Sequence, residues 1–479
     1  PALRRRRSPL AAPAPAHEGF GCCGIVFAFM IRLLFLLLGA RALKPMWRYL
    51  MVAGIVWMAL GALILFDLSD GVLTVVQDTF AFFLVIEGAV ELIAALSRGV
   101  RKHWVDALRG LVFLLAAFLI FNVPWDDNIG AALVFGSAFL VDGIFRIASA
   151  YVVRSPRWRV GIVAGLIEVG LALMILFAWP IPHLLTVPFC FALLLLTSGY
   201  ALVRMSLPLR RLPDGASITS LPFYAARNWW QGGKVHPVVG EGQPAADGDH
   251  VLNVHVWTAV GSAEDPERRL LIDRYVAAVD RKGVISTGHA ALEMPPDLYI
   301  SHYPADDIDH SPEDFRPLLL ATRENDVPGR FNESLQAEAA AWCMPDQKVT
   351  FRRFNPRALR TFWDAYSRDN TYNLTARNCS TTVIQALDAA MEGACDTGRP
   401  WRDCLRIVSD PNFWLMRIVR GRAEAMTWTP GLVLDYARLL HQVVEYGERR
   451  WRRRISEALR ARRRLVYRRE RAQSKRAAA

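Results

Sequence analysis

The chain has 479 residues, 53% of them hydrophobic and 21% charged, with a formal net charge of +12. This length implies two or three domains, and the averages hide a partition: residues 47–203 are nearly all apolar, whereas residues 204–479 read as a soluble domain with a basic end. Seven cysteines, odd in number and irregular in spacing, exclude a disulfide framework and a paired CxxC metal site, so no metal or cofactor is expected.

Residues 1–44 open with a basic, Ala/Pro-biased tail expected to be disordered, followed by CCGIVFAFMIRLLFLLLGARALK. The basic start and apolar core resemble a signal peptide. Arg32 interrupts the core, however, and no small-residue cleavage site precedes the next apolar run. An interfacial helix is expected here, with a seventh span as the alternative. Cys22 and Cys23 border the apolar segment, where either reversible palmitoylation or inert packing suits them.

Residues 45–206 contain six stretches of spanning length, near 48–66, 72–96, 106–123, 130–152, 160–179 and 184–203. They repeat in three units. Trp47, Trp104 and Trp158 open the units, and Phe66, Phe121 and Phe177 close the first helix of each. Gly88, Gly143 and Gly199 follow those Phe residues, each time by 22 positions. This register predicts three hairpins of consecutive spans around a pseudo-threefold axis, with the glycines at close helix contacts. The pattern resembles the HdeD-type acid-resistance membrane proteins, which have six helices built from three such hairpins.

Ionisable groups inside these spans should face the bundle interior. Glu87 and Asp142 precede the repeated glycine, and Glu91 and Arg146 lie one turn later. A structural ion pair between Glu91 and Arg146 is the simpler expectation, and a proton-sensing cluster the alternative. Lys and Arg follow the second, fourth and sixth spans, whereas Asp67, Asp70, Asp126 and Asp127 mark loops on the other side. The positive-inside rule then puts everything after residue 204 in the cytoplasm, and the HdeD resemblance implies the inner membrane of a bacterium.

Residues 207–249 form a Pro/Gly-rich linker in which Trp229 and Trp230 suit the headgroup level. The soluble domain, 250–432, mixes strands and helices in an α+β pattern. His255, alternating with apolar neighbours in VLNVHVWTAV, reads as a sheet histidine, and His310 as a surface residue. GVISTGHAALEM and LYISHYP read as two strands carrying His289 and His302, thirteen positions apart. Cys379 follows Asn378 at the head of an apolar-periodic helix in TARNCSTTVIQALDAAMEG, with Gly393 as its stop. Free N–H groups and the helix dipole favour a thiolate there, so a lowered thiol pKa is expected, although a buried structural cysteine fits the same stretch.

Two strand histidines followed by Asn-Cys at a helix start resemble the permuted papain-like thiol hydrolases, which include NlpC-type amidases and the lecithin:retinol acyltransferase group. The resemblance covers roughly residues 250–432. It implies Cys379 as nucleophile, His289 as general base and His302 as the group orienting the imidazole, acting on an amide or acyl-ester substrate. The topology argues against a cell-wall substrate. A binding module without enzymatic activity is the competing class.

Residues 433–479 are dense in Arg, with Trp451, Ile455 and Leu459 recurring every four positions. Such a helix is attracted to anionic lipids of the inner leaflet. Nucleic acid is not expected as a partner of a chain already held in a bilayer, and the sequence fixes no oligomeric state. The expected architecture is an α-helical transmembrane bundle of six spans fused to an α+β papain-like domain.

Overall fold

The computed structural model describes residues 22–67, 74–98, 104–120, 129–154, 158–221, 250–260, 275, 278–279, 285–306 and 319–446. The N-terminal tail, the Trp229–Trp230 segment, His310 and the Arg-dense stretch after residue 446 lie outside these residues, as do the side chains of Cys22 and Cys23.

The apolar half is helical where spans are expected: α2 (Trp47–Asp67), α3 (Thr74–Arg98), α4 (Trp104–Ile120), α5 (Ile129–Val153), α6 (Trp158–Leu176) and α7 (Thr186–Arg210). The three repeated tryptophans each begin a helix. Among the described residues, four segments are long and apolar enough to cross a membrane: Ile31–Phe66, Ile129–Val153, Trp158–Leu176 and His183–Arg210.

The helices do not pair as consecutive hairpins of one repeat unit. Instead α3 packs along α4, α5 along α6, and α7 returns to α2. Each crossing is made by two glycines. A Cβ on Gly88 would lie 2.9 Å from the carbonyl of Gly110, one on Gly143 2.9 Å from that of Gly165, and one on Gly199 2.5 Å from that of Gly54. Backbones this close leave no room for a side chain, which is how small residues stabilise helix pairs in lipid. The repeated glycines therefore sit at close contacts as expected, but their partners belong to the next unit. The connections bear this out physically: 99–103 and 154–157 are the short ones, and short connections make antiparallel neighbours.

Arg146 finds its carboxylates on the same pairing. Its guanidinium donates to Asp142 at 2.9 Å, one turn earlier on α5, and to Glu168 of α6 at 3.0 Å. The expected Glu91–Arg146 pair is not formed, because α5 lies along α6.

The apolar stretch expected at a membrane interface has protein partners. In α1 (Cys22–Leu43), Leu33, Phe35, Leu36, Leu37 and Leu38 are nearly fully buried in a core shared with the soluble half and α7. Burying each such side chain is worth about 1.5–3 kcal/mol. The helix breaks at Gly39, which has φ 77° and ψ 163°. A Cβ on Gly39 would lie 2.9 Å from the Cα of Gly393, so the backbones touch there. Gly393 N–H donates to Leu36 O at 3.0 Å and Cys395 N–H to Leu37 O at 2.9 Å.

The soluble half is α+β with antiparallel sheets. The main sheet has the order β5 (Leu298–Ile300), β4 (His289–Met294), β1 (Leu252–Trp257), β8 (Gln347–Phe351). Leu252, Val254 and Val256 alternate with Asn253, His255 and Trp257, and all six are buried, so both sheet faces are covered. The apolar face packs on α10 (Cys379–Met391) and α13 (Pro430–Tyr446); α8 (Leu335–Ala341) approaches the polar face. A second sheet has the order β6 (His302–Pro304), β7 (Val327–Phe331), β9 (Thr371–Tyr372), and a two-stranded ribbon joins β2 (Ala278–Val279) to β3 (Ile285–Ser286). α13 runs across residue 432, the expected boundary of the domain. Val433, Tyr436, Ala437, Leu440, Val443 and Val444 recur at helical spacing along α13 and are buried against the sheet.

Candidate functional site

The segment before Cys379 is held rigidly by polar groups. Arg377 is fully buried, its guanidinium 4.3 Å from the ring of Tyr366, and it donates to the Tyr366 hydroxyl at 3.1 Å and to Asp369. Asn378 caps α10 reciprocally: its Oδ1 accepts the N–H of Thr381 at 2.8 Å, and its own N–H donates to the Thr381 hydroxyl at 2.8 Å. Such a cap is worth about 1 kcal/mol. Asn378 Nδ2 also donates to Leu374 O and Trp428 O, at 2.8 and 3.1 Å. Cys379 is thereby fixed as the first residue of the helix.

The sulfur faces the edge of the main sheet. β5 stops at Ile300, and His302, which the register would set opposite Ala290, has crossed into the second sheet. The backbone N–H of Ala290 is among the groups that favour the Cys379 thiolate, and Ser380 Oγ lies 3.7 Å from the sulfur. Burial pushes the thiol up, against the pull of these N–H and hydroxyl donors. The expected lowering is thus reversed: exclusion of water outweighs the helix N-terminus.

His289, the residue before Ala290, is buried with its ring stacked on Tyr303, centroids 4.0 Å apart, and beside Trp257 at 5.4 Å. Its Nε2 lies 2.9 Å from Ser301 Oγ and 3.2 Å from Glu338 Oε1. Burial lowers the imidazole to about 4 despite Glu338. Glu338 is also buried, yet its carboxyl is held below the usual range. Burial alone would raise it, but His289 and hydrogen bonds from Tyr299, Asn332 and Ser301 prevail. The Tyr299 and Tyr303 hydroxyls donate to it at 2.7 and 2.9 Å. An ionised Glu338 accepting from Nε2–H leaves Nδ1 of a neutral His289 without its proton.

His302 stands elsewhere. Its Nε2 donates to Asn370 O at 3.3 Å and its Nδ1 is 3.1 Å from the Thr382 hydroxyl, with Phe331 and Tyr372 against the ring. Burial holds it at about 4 as well. It ties β6 to α10 and does not face the second nitrogen of His289; Glu338 and Ser301 do. Sequence reasoning missed Glu338. Its one signal is position: Ser334 caps α8 through the N–H of Ala337, so Glu338 falls one residue past the place where a glutamate would complete a capping box. Neither ring nitrogen of His289 is hydrogen-bonded to the Cys379 sulfur.

His255 bonds Glu293 at 2.8 Å within the sheet, as a sheet histidine should. Among the described residues, no group of three or more His, Cys, Asp or Glu is disposed to hold a metal ion.

The chain matches a family described as a short repeat of unknown function (DUF308), over residues 52–122 and 129–177. The matched stretches cover most of α2 to α4 and then α5 to α6, the same repeated region that the Trp/Phe/Gly register marks. No curated protein and no solved structure matches the chain.

Proposed function

We propose that this membrane-associated repeat region carries, on its cytoplasmic side, a papain-like cysteine hydrolase or acyltransferase acting on amide or acyl-ester bonds. The observation that carries this reading is the buried Glu338–His289 pair next to Cys379 at a helix N-terminus. Glu338 fixes the imidazole with Nδ1 bare, which is the nitrogen a base needs. Nδ1 takes the thiol proton as sulfur attacks the carbonyl, and Glu338 stabilises the imidazolium formed. The N–H of Cys379 serves the developing oxyanion. The imidazolium then returns its proton to the leaving amine or alcohol. Water or an acceptor alcohol releases the acyl group from sulfur. Because burial raises the thiol and lowers the imidazole, the resting pair is neutral and proton transfer accompanies attack. His302 holds β6 against the nucleophile helix and is assigned a positioning role.

In the same reading all six apolar helices span a bacterial inner membrane, and the Arg-dense residues beyond 446 bind anionic lipids of the inner leaflet. A non-enzymatic binding module is the second reading, favoured by the missing direct bond between Cys379 and His289. The two separate in labelling of the full chain with a cysteine-directed acyl electrophile, mapped by mass spectrometry. Acylation of Cys379 in wild type should fall by roughly 10²–10⁴ in His289→Asn, less in Glu338→Gln, and vanish in Cys379→Ala. Equal labelling of wild type and His289→Asn would favour the binding module.

A further inference from the structure

The hairpin formed by α11 (Pro400–Val408) and α12 (Pro411–Ala425) is apolar on the side that faces away from the domain. Trp401 and Leu405, one turn apart, are 58% and 72% exposed; Trp414 and Ile418, also one turn apart, are 40% and 51% exposed. The opposite sides, with Asp403, Ile407, Phe413 and Met416, are buried. The Trp414 indole N–H already donates to Val408 O at 2.7 Å, so the exposed part of that ring asks for nothing polar. Large apolar side chains grouped this way on a protein surface mark an interaction site.

The place of the hairpin says what covers it. Trp401 meets Tyr49, in the first turn of α2, edge to face with centroids 6.3 Å apart. Arg422 of α12 pairs with Asp142 of α5 at 3.1 Å and lies 4.3 Å over the ring of Phe145. The last residue of α5, Val153, accepts the N–H of Ala321 at 2.7 Å, which seats the soluble domain on that helix end. At 1.5 Å per residue, Asp142 lies about 16 Å up α5 from Val153. Thus α12 runs beside a membrane helix well inside its length. Arg399 and Arg402, both exposed, flank Trp401 where lipid phosphates would be.

We propose that α11 and α12 form an interfacial hairpin, with Trp401, Leu405, Trp414 and Ile418 immersed at the boundary between headgroups and acyl chains of the leaflet that α2 enters. Aromatic rings flanked by arginine suit that depth, and amphipathic helices lie there with their apolar face buried by about 5–10 Å. The inference rests on α2 crossing the bilayer.

The test uses the full chain in liposomes of phosphatidylcholine and phosphatidylglycerol, with nitroxide labels on Leu405→Cys, Ile418→Cys and Leu63→Cys. The unsubstituted chain supplies the background from native cysteines. Relaxation by oxygen, which concentrates in lipid, is compared with relaxation by a water-soluble nickel chelate. Oxygen should dominate at 405 and 418, as at 63 in the last third of α2. Nickel dominance at 405 and 418 with oxygen dominance at 63 would overturn the hairpin and leave the span standing. Nickel dominance at all three would overturn the span as well. Exclusion of both reagents at 405 and 418 would mean that a second copy covers the face, and would overturn the lipid assignment. These positions are exposed, so the labels displace no packed side chain.

Discussion

Two buried histidines make the soluble half sensitive to acid. Both His289 and His302 are held at about 4, against an ordinary 6.5, because burial disfavours the charged ring. An unfolded chain would protonate both below about pH 6.5, whereas the folded chain resists until about pH 4. Between those values the unfolded state binds more protons, so stability falls as pH falls, by at most about 1.4 kcal/mol per pH unit for each histidine. Denaturant unfolding of the lipid-embedded chain at several pH values measures this slope, and His302→Gln should flatten it. The thiol offers a second check. With its pKa raised above 9.0 by burial, alkylation of Cys379 in the absence of substrate should keep climbing beyond pH 9. A plateau near neutrality would point instead to a preformed thiolate–imidazolium pair. Sequence alone put Cys379 at a helix start and both histidines on strands, because a capped helix start and strand alternation are local signals. It set His302 beside the imidazole of His289, where Ser301 and Glu338 stand instead. Nothing local tells that the chain leaves the main sheet after Ile300 and turns His302 away, or that a glutamate in an alanine-rich helix arrives from 49 positions downstream (338 − 289).

At the level of elements, the glycine crossings explain both what was legible and what was not in the membrane-associated half. A period of Trp, Phe and Gly is visible along the chain. The choice of partner helix is not, since it depends on which loops are short and on the return of α7 to α2. The crossings also make a graded prediction. A Cβ on Gly165 would come within 2.7 Å of Ile147 and 2.8 Å of the Gly143 carbonyl, while one on Gly170, in the same helix, would meet nothing within 4 Å. Gly165→Ala should therefore cost about 1–3 kcal/mol through overpacking. Gly170→Ala should be neutral or slightly stabilising, since alanine is the better helix former. Thermal unfolding of both variants in the same lipid decides the matter, and equal melting temperatures would contradict the packed crossing.

For the whole molecule, the sidedness read from loop charges governs what the site is able to meet. If the ends after the even-numbered spans are cytoplasmic, a reporter fused after Arg211 should behave as cytoplasmic. A thiol reagent that cannot cross membranes should leave Cys379 unlabelled in intact cells and label it in broken ones. Labelling from outside would reverse the orientation and bring cell-wall amides back as substrates. The two halves are joined by more than the connector. Glu392, at the end of α10, accepts from Ile218 N–H at 2.8 Å, from Ala40 N–H at 3.4 Å and from Ser217. One half-buried carboxyl group thus fastens α1, the segment after α7 and the soluble core at a single point.

That fastening has a consequence for how the chain is made. Ala40 and Glu392 are separated by 352 positions, so the leucine-rich segment that α1 contributes is synthesised long before its partners exist. At roughly 5–20 residues per second, the ribosome needs about 20–70 s to reach Glu392. Until α7 emerges, and in full until the soluble half follows, Leu33 to Leu38 have only lipid or a chaperone to cover them. The native position of α1 is therefore a second address, taken up after release from the first.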